Sequence, residues 1–276
     1  MILVTGATGN VGGDVVSALA ARGAPARAVV RDPSRAVFPS GVEVVQGDLE
    51  FPESLATALG GIRGVFLLGG WSDMPEILRQ LVRAEVERVV LLTSRCVVGG
   101  APDNPITRMW LDSEAAIRDS GIAWTVLRPS GFQSNALRWL PQLRSGDVVR
   151  APWPHVSSAA IDPADIAEVA ATVLTEPGHD GVAHSLSGPE SLTPADQVAT
   201  LATVLERPLR YEPISDDVAR SEMAESTPAA YIEAFFRFYS DGEFDDSAVE
   251  DTVARITGRP PGTFERWAQA HAAAFS

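Results

Sequence analysis

The chain has 276 residues, 45% of them hydrophobic, and a formal net charge of −14. That length supports one α/β domain with an elaborated end, or two closely joined ones, with ample material for a buried core. The acidic balance excludes a nucleic-acid partner, which needs a basic footprint, and no apolar run approaches the ~20 residues of a membrane span. The first predicted strand starts at residue 2, so no signal peptide is expected. The single cysteine, Cys96, sits in an apolar stretch. It is expected to be buried and inert, so a cytoplasmic protein is expected.

In chain order, short β-branched runs at 2–4, 26–30, 42–45, 64–68, 88–92 and 123–127 alternate with helical patterns. This is the signature of βαβ units and of a parallel sheet covered on both faces, with its ligand crevice beyond the carboxyl ends of the strands. The first unit reads MILVTGATGNVGG. Gly6 lets the chain turn off the strand, Gly9 lets backbone N–H groups approach a pyrophosphate, and Gly12 lets the helix pack close to the sheet. Gly6, Thr8, Gly9, Asn10, Val11 and Gly12 are therefore candidate dinucleotide contacts.

The end of the second strand, RAVVRDPSR, bears on which dinucleotide is held. Asp32 lies 20 residues after Gly12, where an acid would accept from a ribose hydroxyl and favour NAD. Arg31 and Arg35 could instead grip a 2′-phosphate, with Asp32 turned away, and NADP is the preferred reading. Later strand ends extend the groove: Asp48 and Leu49 toward the adenine, Leu68, Gly69 and Gly70 along the ribose, and Thr93 and Ser94 near the nicotinamide. Pro129 and Ser130 follow the strand TVLRP as further cofactor neighbours, with Phe132 as a substrate contact and Arg128 expected to hold an acid inside the fold.

Beyond Pro129 the pattern loosens, with a helix expected over 132–143, strands at 156–161 and 182–186, and a helix capped by Asp162-Pro163. From about residue 188 the chain reads as helices with one strand, 209–213. The four histidines share no ligand spacing, so no metal site is expected. His155 either lines the cleft or is a solvated loop residue. Tyr231, Phe235, Phe238 and Tyr239 fall on one helical face after an N-cap signal at Ser226-Thr227-Pro228. That stripe is either core or the inner face of a helical lid near 215–245.

The order TGATGNVG, VRDPSR, QGDL, LLTS, AWTVLRPSGFQSN, IDPADIAEVA and TGRPPGTFERWAQAHAAAF resembles the NmrA-like group of atypical short-chain dehydrogenases/reductases over essentially the whole chain. The resemblance implies a doubly wound parallel Rossmann sheet over 1–130, joined by strands from 155–187. A smaller, mostly helical C-terminal substrate-binding region would comprise 131–154 and 188–276. It also implies NADPH as cofactor, and it makes Met109 and Trp110 cleft candidates. The group includes reductases of quinones and carbonyls, tailoring ketoreductases of aromatic polyketide pathways such as angucyclinone reductases, and non-catalytic dinucleotide sensors.

Ordinary short-chain reductases protonate substrate with a Tyr-x-x-x-Lys pair, yet all 22 basic residues here are arginine. The expected activity is an NADPH-dependent ketoreductase of a polycyclic aromatic carbonyl or quinone in antibiotic biosynthesis. A neighbouring hydroxyl of the substrate would assist, and Ser94 is a possible hydrogen-bond donor. The alternatives are a general quinone or azo reductase and an NADP-sensing regulatory protein. Oligomeric state, monomer or homodimer, stays open.

Overall fold

The computed structural model describes residues 1–275. Its strands are β1 (Ile2–Val4), β2 (Ala26–Val30), β3 (Glu43–Gln46), β4 (Gly64–Leu68), β5 (Arg88–Leu92), β6 (Ala123–Pro129), β7 (Val148–Ala151), β8 (Val182–Leu186) and β9 (Arg210–Pro213). Seven of them form one sheet in the order β3-β2-β1-β4-β5-β6-β8, and every pairing is parallel. Parallel strands need crossover helices, and these cover both faces, which is why the strands are continuous apolar runs. On one face Val11, Val15, Val16 and Leu19 of helix Asn10–Ala21 pack with Ile166, Val169, Ala170 and Val173 of helix Pro163–Thr175. On the other face Ile77, Leu78 and Leu81 of helix Met74–Arg83 pack with Ile117 of helix Pro105–Asp119. Chain order reverses between β1 and β4, so the crevice at the topological switch point opens beyond Val4 and Leu68.

The helices begin where capping chemistry allows. Asp162 accepts from the Ala164 N–H with Pro163 in the first turn, as the sequence suggested, and Asp73 and Asn104 cap their helices in the same way. Asn104 also donates from Nδ2 to the Ala234 carbonyl, fastening the start of helix Pro105–Asp119 to helix Ala229–Tyr239. A separate apolar cluster, including Trp139, Leu143, Val198, Phe264 and Trp267, holds the remaining C-terminal elements together.

Several expectations are corrected. Residues 156–161 form no strand and contribute only isolated bridges, Phe132 to Ile161 and Ser158 to Leu192. Their backbone is spent on scattered loop partners: Ala159 N–H on the Asp246 carbonyl and Ile161 N–H on that of Gly131. Only β8 from the 155–187 region joins the main sheet. The helix expected over 132–143 is a 3₁₀ segment, Gln133–Trp139, followed by a short α-helix, Leu140–Ser145, because Pro141 cannot donate to continue the first run. Strand β7 was not anticipated, and it pairs with β9 in a separate two-stranded sheet. The Ser226-Thr227-Pro228 signal caps nothing: Pro228 is itself the cap residue and no side chain accepts there. Among the described residues no helix is long and apolar enough to cross a membrane.

Candidate functional site

Beyond the carboxyl ends of β1, β4, β5 and β6 lies a cavity of about 420 Å³. Its floor is the turn after β1. Thr5 Oγ1 donates to the Phe66 carbonyl at 3.0 Å and accepts from the Leu68 N–H at 2.9 Å, locking β1 to β4. Gly6 adopts φ +60, and the Gly9 N–H closes the turn on the Gly6 carbonyl at 2.8 Å. A Cβ on Gly12 would stand 2.2 Å from that carbonyl oxygen, so only glycine lets helix Asn10–Ala21 start so near the turn. The helix has no side-chain cap and no acid in its first turn. Its leading N–H groups and the positive end of its dipole are thus left for an anion. These features fit a dinucleotide pyrophosphate. Asn10 Nδ2 reaches across to Ser134 Oγ at 3.2 Å, tying the turn to the segment after β6.

At the end of β2, Asp32 Oδ1 accepts from the backbone N–H and hydroxyl of Ser34, at 3.0 and 2.6 Å. The exposed Arg31 and Arg35 guanidinium groups have no side-chain partner among the described residues. Further along, the Gly70 N–H donates to Ser113 Oγ, and Cβ atoms on Gly69 and Gly70 would meet the Trp110 ring at 3.4 and 3.3 Å. Beside them Thr93 Oγ1 donates to Glu114, whose fully buried carboxylate also takes Arg128 and Arg118. Arg128 therefore holds an acid inside the fold, as expected.

The opposite wall comes from the end of the chain. Phe235, Phe238 and Tyr239 of helix Ala229–Tyr239 line the cavity with Phe244, packed in one cluster with Trp110, and Phe132 lines it too. Tyr239 stacks parallel to Phe235 at 6.4 Å between centroids and lies 4.7 Å from Trp153. Burial pushes its phenol up to about 12. Asp246 follows the helix and is 4% exposed. Its Oδ2 accepts from the Gly131 N–H at 2.7 Å and from the Ser158 hydroxyl at 2.9 Å, whereas Oδ1 has no partner. Burial raises this carboxyl above the ordinary carboxylate range, against the lowering effect of those two hydrogen bonds and of Arg95. Cys96, buried as expected, lines the same cavity with its thiol raised by burial.

Of the residues singled out from sequence, the cavity brings together Gly6, Gly9, Asn10, Val11, Gly12, Leu68, Thr93, Ser94, Pro129, Ser130, Trp110, Phe132 and Phe235. Ser94 Oγ accepts from the Cys96 N–H. Thr8, Arg31, Arg35, Asp48, Leu49, Gly69, Gly70 and Met109 lie outside the lining. Asp48 spends Oδ1 on the Glu50 N–H, Leu49 is core, and Met109 sits behind Gly70. Neither His155, an exposed loop residue, nor Tyr231, 39% exposed, lines the cavity. Phe244 and Asp246 were missed. Asp246 lies in DGEFDDSAVE, which has no periodicity to mark it. The described residues contain no group of three or more metal-ligand side chains.

The chain matches the model of a family described as NAD(P)H-binding over residues 6–177. It is 41% identical over 281 residues to the (4-alkanoyl-5-oxo-2,5-dihydrofuran-3-yl)methyl phosphate reductase of Streptomyces griseus, covering 100% of this chain and 99% of that one. It is 36% identical over 286 residues to the NAD(P)H azoreductase of Xenophilus azovorans, with the same coverage. Its fold is also that of an NADPH-dependent quinone oxidoreductase from Escherichia coli, with TM-score 0.81, 24% identity and full coverage of both chains. The triphenylmethane reductase of a Citrobacter species, crystallised with NADP(H), gives TM-score 0.81 at 24% identity, over 98% of this chain and 100% of that one. The glycine turn and the two full-length reductase relatives converge: the chain belongs to the NAD(P)H-binding family, in its NmrA-like, atypical short-chain dehydrogenase/reductase branch, and is an NAD(P)H-dependent oxidoreductase.

Proposed function

We propose that the chain is an NADPH-dependent reductase of a flat, conjugated carbonyl, a polycyclic aromatic ketone or quinone, acting in natural-product biosynthesis. The observation that carries this reading is one cavity lined both by the glycine turn and by Trp110, Phe132, Phe235, Phe238, Tyr239 and Phe244. Aromatic walls favour stacked or edge-on ring ligands and exclude water, which strengthens electrostatic interactions within the site. The relatives' printed activities, on a furanone phosphate and on azo compounds, support reduction of a conjugated electrophile.

Preference for NADPH follows from the second strand end. The Asp32 carboxylate is committed to Ser34. Arg31 and Arg35 stand free to form charge-assisted bonds to a 2′-phosphate. Gly6, Thr8, Gly9, Asn10, Val11 and Gly12 hold the pyrophosphate, and Leu68, Gly69, Gly70, Thr93, Ser94, Pro129 and Ser130 follow the ribose and nicotinamide. Asp48 and Leu49 border the adenine. Residues 131–154 and those from 188 onward, with Asn104 fastening the two helices, form the cap over the substrate.

When bound, reduced nicotinamide supplies hydride. A substrate hydroxyl beside the carbonyl lightens the demand on a chain that has no lysine. The test is loss of reduced-nicotinamide absorbance with NADPH and NADH, against hydroxylated, hydroxyl-methylated and unhydroxylated polycyclic quinones. Turnover with NADPH that weakens on methylation supports the reading; binding of NADPH with no turnover on any of them replaces it with a dinucleotide sensor.

A further inference from the structure

We propose that Asp246 and Tyr239 handle the reacting oxygen of the substrate, with the Asp246 carboxyl as proton donor and the Tyr239 hydroxyl as hydrogen-bond donor. The proposal rests on the reductase reading above and assigns to two residues of this chain the work of the absent tyrosine–lysine dyad.

The two side chains share a distinction within the cavity. Asp246 is 4% exposed and carries an oxygen, Oδ1, with no hydrogen-bond partner. Tyr239 Oη, on a half-buried residue, also has no protein partner among the described residues, and its ring is fixed by Phe235, Phe238 and Trp153. A buried polar atom left unpaired, as Asp246 Oδ1 is, costs free energy, and a ligand that pairs it is one reason for retaining it. Both groups line the cavity that the glycine turn also lines, together with the aromatic side chains that would receive the substrate ring.

The chemistry suits each group to a separate part. A phenol pushed up to about 12 stays neutral across the working pH range and keeps its O–H to donate. The Asp246 carboxyl, raised by burial, is the stronger acid of the two and holds its proton to higher pH than a solvated aspartate does. As hydride from the dinucleotide forms the new C–H bond, the C=O π pair moves onto oxygen. That oxygen takes the Asp246 proton to form the O–H bond. The carboxylate left behind keeps the Gly131 N–H and the Ser158 hydroxyl as donors, and regains a proton from solvent once the product has left. The charged or titratable neighbours that bear on Asp246 and Tyr239 are Arg95, Asp245, Cys96 and Arg138. An ionised Asp246 places negative charge beside an oxygen gaining charge, so the rate falls as pH rises through its titration.

The experiment uses the full chain with NADPH and a naphthoquinone, hydroxylated or not, comparing wild type with Asp246→Asn and Tyr239→Phe. Asp246→Asn is expected to lower kcat by about 10²–10⁴, as loss of a general acid does, and to abolish the decline at high pH. Tyr239→Phe is expected to lower kcat by about 10²–10³ while keeping that decline, with the larger loss on the unhydroxylated quinone. Dinucleotide Kd is expected to stay at the wild-type value in both. A protonated-carboxyl infrared band is expected in the unliganded wild type, fading as pH rises, and absent from Asp246→Asn. Wild-type turnover with kcat and pH profile unchanged in both variants overturns the proposal and leaves the reductase reading intact. A wild-type protein that reduces no quinone removes both.

Discussion

Arg128 grips Glu114 in a parallel fork, Nε to Oε1 at 2.8 Å and Nη2 to Oε2 at 2.6 Å, directly beneath the cavity floor at Thr93. Glu114 is wholly buried, so the pair fixes the end of β6 to helix Pro105–Asp119 at the point where both border the site. Removing one partner strands the other charge. Glu114→Ala is expected to cost about 3 kcal/mol in unfolding free energy, measured by urea titration, and Arg128→Lys, which cannot form the fork, somewhat less.

The same carboxylate has a pH signature. Burial raises its pKa, but the hydrogen bonds from Arg128 and Arg118 outweigh burial and leave it lowered overall. A carboxyl with a depressed folded pKa contributes stability above its unfolded value and loses it as pH falls through the folded one. Acid unfolding of wild type is therefore expected to be shallower without Glu114: in Glu114→Ala the fall in stability below about pH 4.3 is reduced.

His184 carries a second and separable signature. Burial depresses its pKa from 6.5 to about 4, with His179 adding to the effect. Nε2 has no hydrogen-bond partner. The folded protein keeps the ring neutral while the unfolded chain protonates it. Stability is complete above pH 6.5 and declines as pH falls toward 4, by about 2–3 kcal/mol in all. His184→Leu is expected to flatten stability across that window, as read by thermal unfolding at successive pH values.

Gly12→Ala tests the glycine turn. The added methyl would meet the Gly6 carbonyl oxygen at 2.2 Å, a backbone atom that cannot swing away. The helix start is expected to shift, with loss of about 1–3 kcal/mol of stability and weaker dinucleotide binding by isothermal calorimetry.

Arg31→Ala and Arg35→Ala test the choice of dinucleotide. Each charge-assisted hydrogen bond lost is expected to cost NADPH about 1.5–3 kcal/mol and to leave NADH affinity unchanged. Equal effects on both cofactors would dissociate these arginines from a 2′-phosphate.

Much of this molecule was legible where structure is local. Strands 64–68, 88–92 and 182–186 stand within their expected bounds, because a β-branched run between turn residues has few other options. The glycine turn and the Asp162 cap were legible for the same reason. Strand β7 was not, since Val148 finds its partner at Arg210, and neither segment reads as half of a pair. The run at 156–161 misled, because a short stretch with apolar ends can lie extended without a strand beside it, and only isolated bridges form there. Asp246 was invisible for a deeper reason. Its burial and its partners, Gly131 and Ser158, exist only after tertiary packing.

The path of the chain separates the two sides of the cleft in time. The seventh strand of the sheet ends at Leu186, so a growing polypeptide has the whole nucleotide-holding layer before Phe235, Tyr239 or Asp246 has been synthesised. Translation from N- to C-terminus thus delivers the turn for the dinucleotide first and the aromatic wall last. A chain arrested after residue 190 would display the open floor of a pocket, its apolar side uncovered, and quality-control proteases would have their clearest target in that interval.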